Sequence, residues 1–401
     1  MKTLFKLFRV LFGLTFIISG FTKLIDPVGT GLVVKEYFSF MHLGFLSPLA
    51  NEFGITMSAL EMLTGICVFS GLFLKLFTFI GMAMMAAFTL VTVYLVAYNP
   101  ISDCGCFGEA IHLTNWQSLG KNLVLLPMSI VLFILSRRIP MKKCLVYNTA
   151  AAAVFAAFAA GIGILALRTL PGMDFASYKI GTDLSAIAKG YVSTYETVFT
   201  YEKDGVSAEF AIDSLPDDSW TFVDSRTTLV SGDGAEAMAD ISVKDLSDNY
   251  RNEIFSSEGA MIASVVWDAA GLSGERWSTI RKLKQDMDLS GVPFHLFCDN
   301  ASNVPADLEE CTLTSDRKAL ITLLRSNGGA VCINDGTISY KWPARGVSSE
   351  SIHEILDKDT DMLIIDNSLA EKHYAMNVFG ILAVLILIYI SVRRMIYRKM
   401  V

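Results

Sequence analysis

Two cysteines separated by one glycine, Cys104 and Cys106, have the type and spacing for thiol chemistry. A disulfide between residues this close would close a small, strained ring, and strain makes such a bond easy to reduce. Gly105 gives the backbone the freedom to turn that tightly. The pattern favours a labile redox pair. The alternatives are an inert loop or a metal site with His112 as third ligand, for which no fourth ligand follows at a recognisable spacing.

Glu61 is the second residue that the sequence singles out, because it is a carboxylate in or near a long apolar segment. Ionisable residues at such positions often mark functional sites. Lys23 lies near the outer end of the preceding apolar segment, so a structural ion pair is the favoured interpretation. Glu61 nevertheless stays a candidate catalytic residue. No metal site is predicted.

The composition of the 401 residues places these groups in a membrane protein. Apolar residues make up 52% of the chain, charged residues only 18%, and the mean hydropathy is +0.46. These values exclude disorder and argue against an all-soluble protein. The net charge of −7 argues against nucleic acid as a partner. Six stretches are long enough to cross a bilayer: 7–25, 57–74, 76–98, 116–136, 145–167 and 374–392.

Charge partition predicts the orientation of these spans. One set of flanking segments carries no acidic residue but twelve basic ones: Lys2, Lys6, Arg9, Lys75, Arg137, Arg138, Lys142, Lys143, Arg393, Arg394, Arg398 and Lys399. The positive-inside rule therefore places both termini in the cytoplasm. The segment 169–373 then lies outside, as does the Cys104–Cys106 loop, where thiols can be oxidised.

The sequence of the outer segment indicates two parts. Residues 191–230 alternate in polarity around Asp204-Gly205, which predicts a β-hairpin. Further on, strands and helices are predicted to alternate: strands at Met261–Trp267, Val292–Cys298, Ala330–Asn334 and Ile338–Trp342, and helices at Gly274–Met287 and Asp316–Ser326. This second part is therefore α/β.

The Cys-Gly-Cys-Phe-Gly motif before a membrane helix resembles the MauE branch of the DoxX-like membrane proteins. The resemblance covers about residues 5–137 and includes Ser19-Gly20, Lys23, Asp26-Pro27, Glu61 and Gly65. It implies a four-helix bundle similar to quinone-linked disulfide-forming membrane proteins. Quinone is accordingly the cofactor that the analogy implies. The first outer loop, 27–56, lacks the cysteines of a shuttle pair, so a partner protein would have to supply them.

Residues 240–345 resemble a thioredoxin-like domain of the membrane-anchored TlpA type. Asp240–Leu246 resembles its entry strand, and the Cys-x-x-Cys motif would fall at Gly271–Gly274, where no thiol is present. The proline of the family would fall near Gly328 and is also missing. Thiol exchange is therefore not expected there, and the domain is expected to serve in docking or binding.

The remaining cysteines receive minor roles. Cys67 is expected to be a packing residue, Cys332 a buried thiol, and Cys144 a cytoplasmic residue without a role. Cys298 and Cys311 flank one loop and could form a disulfide or stay unpaired.

The sequence thus predicts a multidomain membrane protein. It contains a DoxX/MauE-like α-helical transmembrane four-helix bundle. Two more transmembrane helices flank a β-rich and a thioredoxin-like α/β extracytoplasmic part. Its predicted divisions are the bundle (1–144), a fifth helix (145–168), the β-rich segment (169–235), the degenerate thioredoxin-like domain (236–370), and a sixth helix with a basic tail (371–401). The predicted function is redox-associated, in support of disulfide formation or maturation of periplasmic clients at the bacterial inner membrane. The alternative is a non-catalytic envelope scaffold or assembly protein.

Overall fold

The computed structural model describes residues 2–98, 104–139, 145–185, 194–203, 206–211, 216, 219–231 and 241–399. Ten α-helices lie in this part of the chain: α1 (Lys2–Ile25), α2 (Pro27–Phe40), α3 (Ala50–Ser70), α4 (Leu74–Tyr98), α5 (Asn115–Arg137), α6 (Leu145–Arg168), α7 (Gly274–Ser290), α8 (Arg317–Leu323), α9 (Ser349–Leu356) and α10 (Thr360–Lys399). Six of its helical segments are long and apolar enough to cross a membrane. The chain is therefore a multi-pass membrane protein, and the predicted number of spans is confirmed.

Helices α1 and α3 approach each other closely at Gly20. A Cβ atom at Gly20 would lie 2.6 Å from the backbone nitrogen of Met62, so only glycine fits there. Lys23 lies about one turn beyond Gly20 on α1, and Glu61 directly precedes Met62 on α3. The close contact between the two helices therefore brings Lys23 and Glu61 together.

Helix α2 follows α1 after one residue and covers part of the outer end of the bundle. Asp26 accepts a hydrogen bond from the Gly29 backbone N–H at 2.9 Å, which caps α2. Pro27 at the first helical position needs no hydrogen-bond partner for its nitrogen. The Asp-Pro pair thus ends one helix and begins the next.

The β-rich segment is a three-stranded antiparallel sheet. Its strands are β1 (Thr194–Lys203), β2 (Val206–Ala211) and β3 (Thr221–Ser231), in the order β2-β1-β3. The first two strands confirm the predicted hairpin, although its turn, Asp204-Gly205, lies outside the described residues.

The segment from β4 to β8 is an α/β domain with a mixed sheet. Its strands are β4 (Ala260–Val266), β5 (Phe294–Cys298), β6 (Thr312–Thr314), β7 (Gly329–Asn334) and β8 (Thr337–Trp342), in the order β6-β5-β4-β7-β8. Strands β4, β5 and β6 run parallel, whereas β7 pairs antiparallel with both β4 and β8. All six helices and strands predicted between 261 and 342 are present.

The prediction of an entry strand for this domain is wrong. Ile241–Leu246 forms no strand, and Lys244 makes only isolated bridges to Thr314 and Tyr250. The short strand β6 occupies the edge of the sheet beside β5 instead. Apolar side chains of the segment, such as Ile241 and Val243, are still fully buried in the core.

The α/β domain is docked on the membrane domain through a buried arginine. Arg325, between α8 and β7, contacts Asp26 at 2.9 Å and Glu109 at 3.3 Å. Lys318 on α8 adds an exposed ion pair with Glu36 on α2. These contacts place the α/β domain beside the loop that carries the two close cysteines.

Candidate functional site: a pair of thiols in the lining of an apolar cavity

The Cys104-Gly105-Cys106 segment folds so that its two sulfur atoms touch. The Cys104 thiol donates a hydrogen bond to Cys106 Sγ at a sulfur–sulfur distance of 2.8 Å, and both cysteines are free. Gly105 has φ +61°, and a Cβ atom there would lie 2.7 Å from Val33 Cγ1. Because an L side chain rarely adopts this φ, glycine is required for both the turn and the close packing.

Hydrogen bonds hold the backbone of this loop to the bundle. Ser19 on α1 donates to the Cys106 carbonyl at 2.6 Å, and the Tyr37 hydroxyl on α2 donates to the Cys104 carbonyl at 2.7 Å. A turn closes between the Gly108 N–H and the Gly105 carbonyl at 3.1 Å. The two thiols therefore lie on a loop fixed at several points.

Helix α5 begins immediately after this loop and lies against Cys104. Thr114 and Gln117 form a capping box at its N-terminus. One turn into the helix, Ser118 Oγ lies 2.8 Å from Cys104 Sγ. Cys104 is consequently buried, with 6% of its surface exposed.

The pKa values of the two thiols are shifted in opposite directions. The hydrogen bond with Cys106 and burial raise the pKa of Cys104 above its ordinary value. The hydrogen bond from Cys104, helped by the ammonium groups of Lys121 and Lys23, lowers the pKa of Cys106 to about 6 despite its burial. At neutral pH the pair therefore holds a single negative charge on Cys106.

Glu61 lies in the same region, where it pairs with Lys23 as the sequence predicted. The carboxylate and the ammonium group are in direct contact, with side-chain exposures of 5% and 13%. Deeper in the bundle, Asn122 on α5 donates to Thr92 on α4 at 2.8 Å. These polar groups interrupt an otherwise apolar interior.

A cavity of about 480 Å³ joins these groups, which is within the range of small-molecule sites. Its polar lining includes Cys104, Cys106, Lys23, Glu61, Lys121 and Asn122. Most of the remaining lining is apolar and includes Phe16, Val33, Val34, Phe38, Phe53, Met57, Met85, Phe88, Val91 and Leu125. The cavity therefore suits a ligand with a polar ring or head and an apolar body.

The other described cysteines lie away from this loop. Cys67 is fully buried among the apolar residues of the bundle, as predicted. Cys298 and Cys332 are buried in the α/β domain, and Cys311 donates to the Leu308 carbonyl at 3.2 Å. Cys298 and Cys311 are separate thiols, in line with the unpaired alternative. Cys144 lies outside the described residues.

The α/β domain carries no thiol at the position of the usual thioredoxin-like site. The Gly271–Gly274 segment lies between β4 and α7, as the resemblance implied. The nearby Asp268 and Asp299 instead face Arg317, at 3.5 and 3.6 Å. Gly328 has φ +78°, and no cis peptide bond occurs in the described part of the chain.

Sequence reasoning missed Lys121, Ser118, Ser19 and Tyr37 as neighbours of the thiols. A signal for two of them was present, because Ser118, Lys121 and Asn122 recur at helical spacing within an apolar span. Ser19 and Tyr37 gave no comparable signal, since their contacts depend on how the loop returns to α1 and α2.

Six spanning helices with two touching thiols beside an apolar cavity define a multi-pass membrane protein suited to thiol chemistry at the membrane surface. Residues 1–135 match the family model described as methylamine utilisation protein MauE, so the N-terminal third is a MauE-like membrane domain. Residues 195–232, which include β2, β3 and all but the first residue of β1, match a domain of unknown function (DUF8463).

One curated relative is Protein TlpB of Flavobacterium psychrophilum, which is 30% identical over 130 residues. The match covers 32% of this chain and 35% of that protein, so it spans about a third of the relative's length. No solved structure matches the chain.

Proposed function

We propose that this protein is a membrane thiol–disulfide oxidoreductase that uses Cys104 and Cys106 as its redox pair and supports disulfide formation in client proteins. The observation that carries this proposal is the 2.8 Å contact between the two sulfurs at the edge of the cavity. The similarity of residues 1–135 to MauE supports a membrane-associated redox role in general.

The proposed chemistry has two half-reactions. In the first, a client dithiol exchanges with the Cys104–Cys106 disulfide, which leaves the client disulfide-bonded and both cysteines reduced. In the second, the two cysteines form their disulfide again and release two electrons and two protons. A strained disulfide is a good oxidant, so its formation needs an acceptor of comparably high potential.

A quinone is the acceptor class that fits the cavity, because it takes two electrons and two protons and becomes a quinol. Lys23 and Lys121 offer ammonium donors for ring carbonyl oxygens, and Glu61 is a carboxylate in the same lining. The aromatic and aliphatic lining would hold a ring and the first part of an apolar tail. The volume and the chemistry of this lining support the assignment.

The proposed setting is the bacterial inner membrane, with both termini in the cytoplasm and the outer domains in the periplasm. The absence of acidic residues from the four basic flanking segments supports this orientation. It would place Cys104 and Cys106 on the oxidising side, where unfolded clients and soluble redox partners occur.

A non-catalytic envelope scaffold is the second candidate. The absence of thiols at Gly271–Gly274 favours it, as does the buried Arg325 contact that fixes the α/β domain to the bundle. Under this alternative the α/β domain binds other proteins and the bundle is an anchor.

The test uses the full chain in lipid nanodiscs, reduced and then freed of reductant. A short-tailed ubiquinone analogue is added, and quinol formation is followed by absorbance while free thiols are counted by an alkylation gel shift. We expect one quinol per chain and the loss of two free thiols. Cys104→Ser and Cys106→Ser should each abolish both signals, whereas Cys311→Ser, the matched control, should leave them unchanged.

Three results would contradict parts of this proposal. A pair that stays reduced even in oxidising glutathione buffer supports the scaffold. Stoichiometric zinc on a pair that stays reduced supports the metal alternative. Disulfide formation with a soluble oxidant but not with the ubiquinone analogue would keep the thiol function and overturn the quinone assignment.

A further inference from the structure

The two sulfurs of the pair have different surroundings. Cys104 is covered by Ser118, with its thiol proton directed to Cys106. Cys106 is half-buried and lines the cavity that Lys23 and Lys121 also line. A negative charge is therefore stabilised on one sulfur and not on the other.

Lys121 is the cation best placed to act on Cys106. It lies on α5 one turn beyond Ser118, and its Nζ atom is 4.8 Å from the ring centroid of Phe107, the residue next to Cys106. Lys121 and Cys106 line the same cavity, and the charge of Lys121 contributes to the lowered pKa of Cys106. Within the described residues no carboxylate lies within ion-pair distance of Lys121, whereas Lys23 is paired with Glu61.

We infer that Lys121 is a positioning residue of the proposed dithiol chemistry, in which its ammonium group makes Cys106 the sulfur that carries the negative charge whenever the pair opens. This inference rests on the proposed function. It assigns unlike roles to two cysteines that the sequence leaves equivalent.

The roles follow from the order of bond changes. A client thiolate attacks Cys104 Sγ, the Cys104–Cys106 bond breaks, a client–Cys104 disulfide forms, and the electron pair stays on Cys106. The second client thiolate then attacks the client sulfur of this mixed disulfide and releases Cys104, which takes a proton from water. A thiol of lower pKa leaves faster, so the leaving group favours attack at Cys104, which Ser118 has to uncover before a client thiolate can reach it.

Among the other charged groups around the pair, Glu109 on the same loop is paired with Arg325. Lys23 of α1 faces Cys106 with its charge balanced by Glu61 of α3, and the Tyr37 hydroxyl of α2 binds the Cys104 carbonyl. The described lining from α4 contributes no ionisable side chain. Lys121 therefore supplies the unbalanced positive charge in the described site.

The test measures alkylation of reduced full-length protein by iodoacetamide from pH 5 to 9, with each cysteine read separately by mass spectrometry. Lys121→Met should slow the reaction of Cys106 about fivefold or more at pH 6, which is the fall produced by a one-unit rise of its pKa. The half-maximal rate should move to higher pH. Lys121→Arg should restore the rate to within about twofold of wild type, because it keeps the charge.

Two references control for folding and for charge in general. Cys311 in the same samples should react equally in all variants, and Lys35→Met removes an exposed positive charge from the outward helix α2 without changing the Cys106 profile. An unchanged Cys106 profile in Lys121→Met overturns the inference, and so does an Arg variant as slow as the Met variant. Alkylation measures the thiolate form of Cys106 and not redox turnover. The effect of Lys121 on Cys106 can therefore be tested even if the protein shows no oxidoreductase activity.

Discussion

Arg325 of the outer α/β domain forms a buried ion pair with Asp26 of the membrane domain, with Nη2 and Nε at 2.9 and 3.0 Å from the same carboxylate oxygen. The exposed fractions of the two side chains are 5% and 8%. Arg325 also reaches Glu109, three residues beyond Cys106. One guanidinium group thus joins the α/β domain, the start of α2 and the loop that carries Cys104 and Cys106.

Arg325→Met should be strongly destabilising, because it leaves two acidic groups in a buried site without their cation. Breaking a buried pair in this way costs about 3–5 kcal/mol. Thermal unfolding of the full chain, followed by tryptophan fluorescence, measures the loss. Lys318→Met is the matched control, since its pair with Glu36 is exposed and worth at most about 1 kcal/mol. Equal effects of the two substitutions would contradict the docked arrangement.

Gly105→Ala should separate the two thiols. The new Cβ would meet Val33 at 2.7 Å and force a strained φ, so the loop must shift. We expect slower disulfide formation in a graded glutathione series, read by alkylation gel shift. Gly120→Ala on α5 is the control, because a Cβ there meets no atom within 4 Å. An unaltered rate in the Gly105 variant would argue against the tight turn.

Glu109 should make stability depend on pH. Burial raises the pKa of Glu109 above its ordinary value, although Arg325 opposes the shift. The native chain then binds more protons than the unfolded chain between the two pKa values, so stability falls as pH rises through this window. Glu109→Gln should lack that fall. Melting temperatures of both proteins, measured in parallel from pH 4 upward, would show this effect. The difference in melting temperature between the two proteins should grow with pH and then level off.

The predicted orientation can be read from two engineered cysteines. Leu289 is 81% exposed on the outer domain, and Arg138 is exposed after α5 on the predicted cytoplasmic side. In cells, a membrane-impermeant maleimide should label Leu289→Cys and spare Arg138→Cys until the membrane is opened. Labelling confined to Arg138→Cys would reverse the topology.

The elements predicted well are those whose signal is local. The six spans follow from the length of their apolar runs, and the strands and helices between 261 and 342 follow from their periodicity. The spacing of Cys104 and Cys106 made them candidates, and their redox role stays a prediction. The contact between Asp26 and Arg325 joins positions 299 residues apart, so no local pattern could indicate it. The helical spacing of Ser118 and Lys121 indicated a polar face on α5, but their position beside Cys104 and Cys106 depends on a loop that folds back over α5.

Helix α10 runs without interruption by proline from Thr360 to Lys399, 40 residues that measure about 60 Å at 1.5 Å per residue. This helix begins directly after the α/β domain and includes the sixth span. The α/β domain is therefore attached to the same continuous helix that crosses the membrane. Each added residue would turn the outer domain by about 100° around that helix and lift it by about 1.5 Å. The number of residues in α10 therefore sets both the direction and the height of the domain over the bundle. Any change in that number would move Arg325 away from Asp26, whose contact at 2.9 Å tolerates neither a rotation nor a lift of this size.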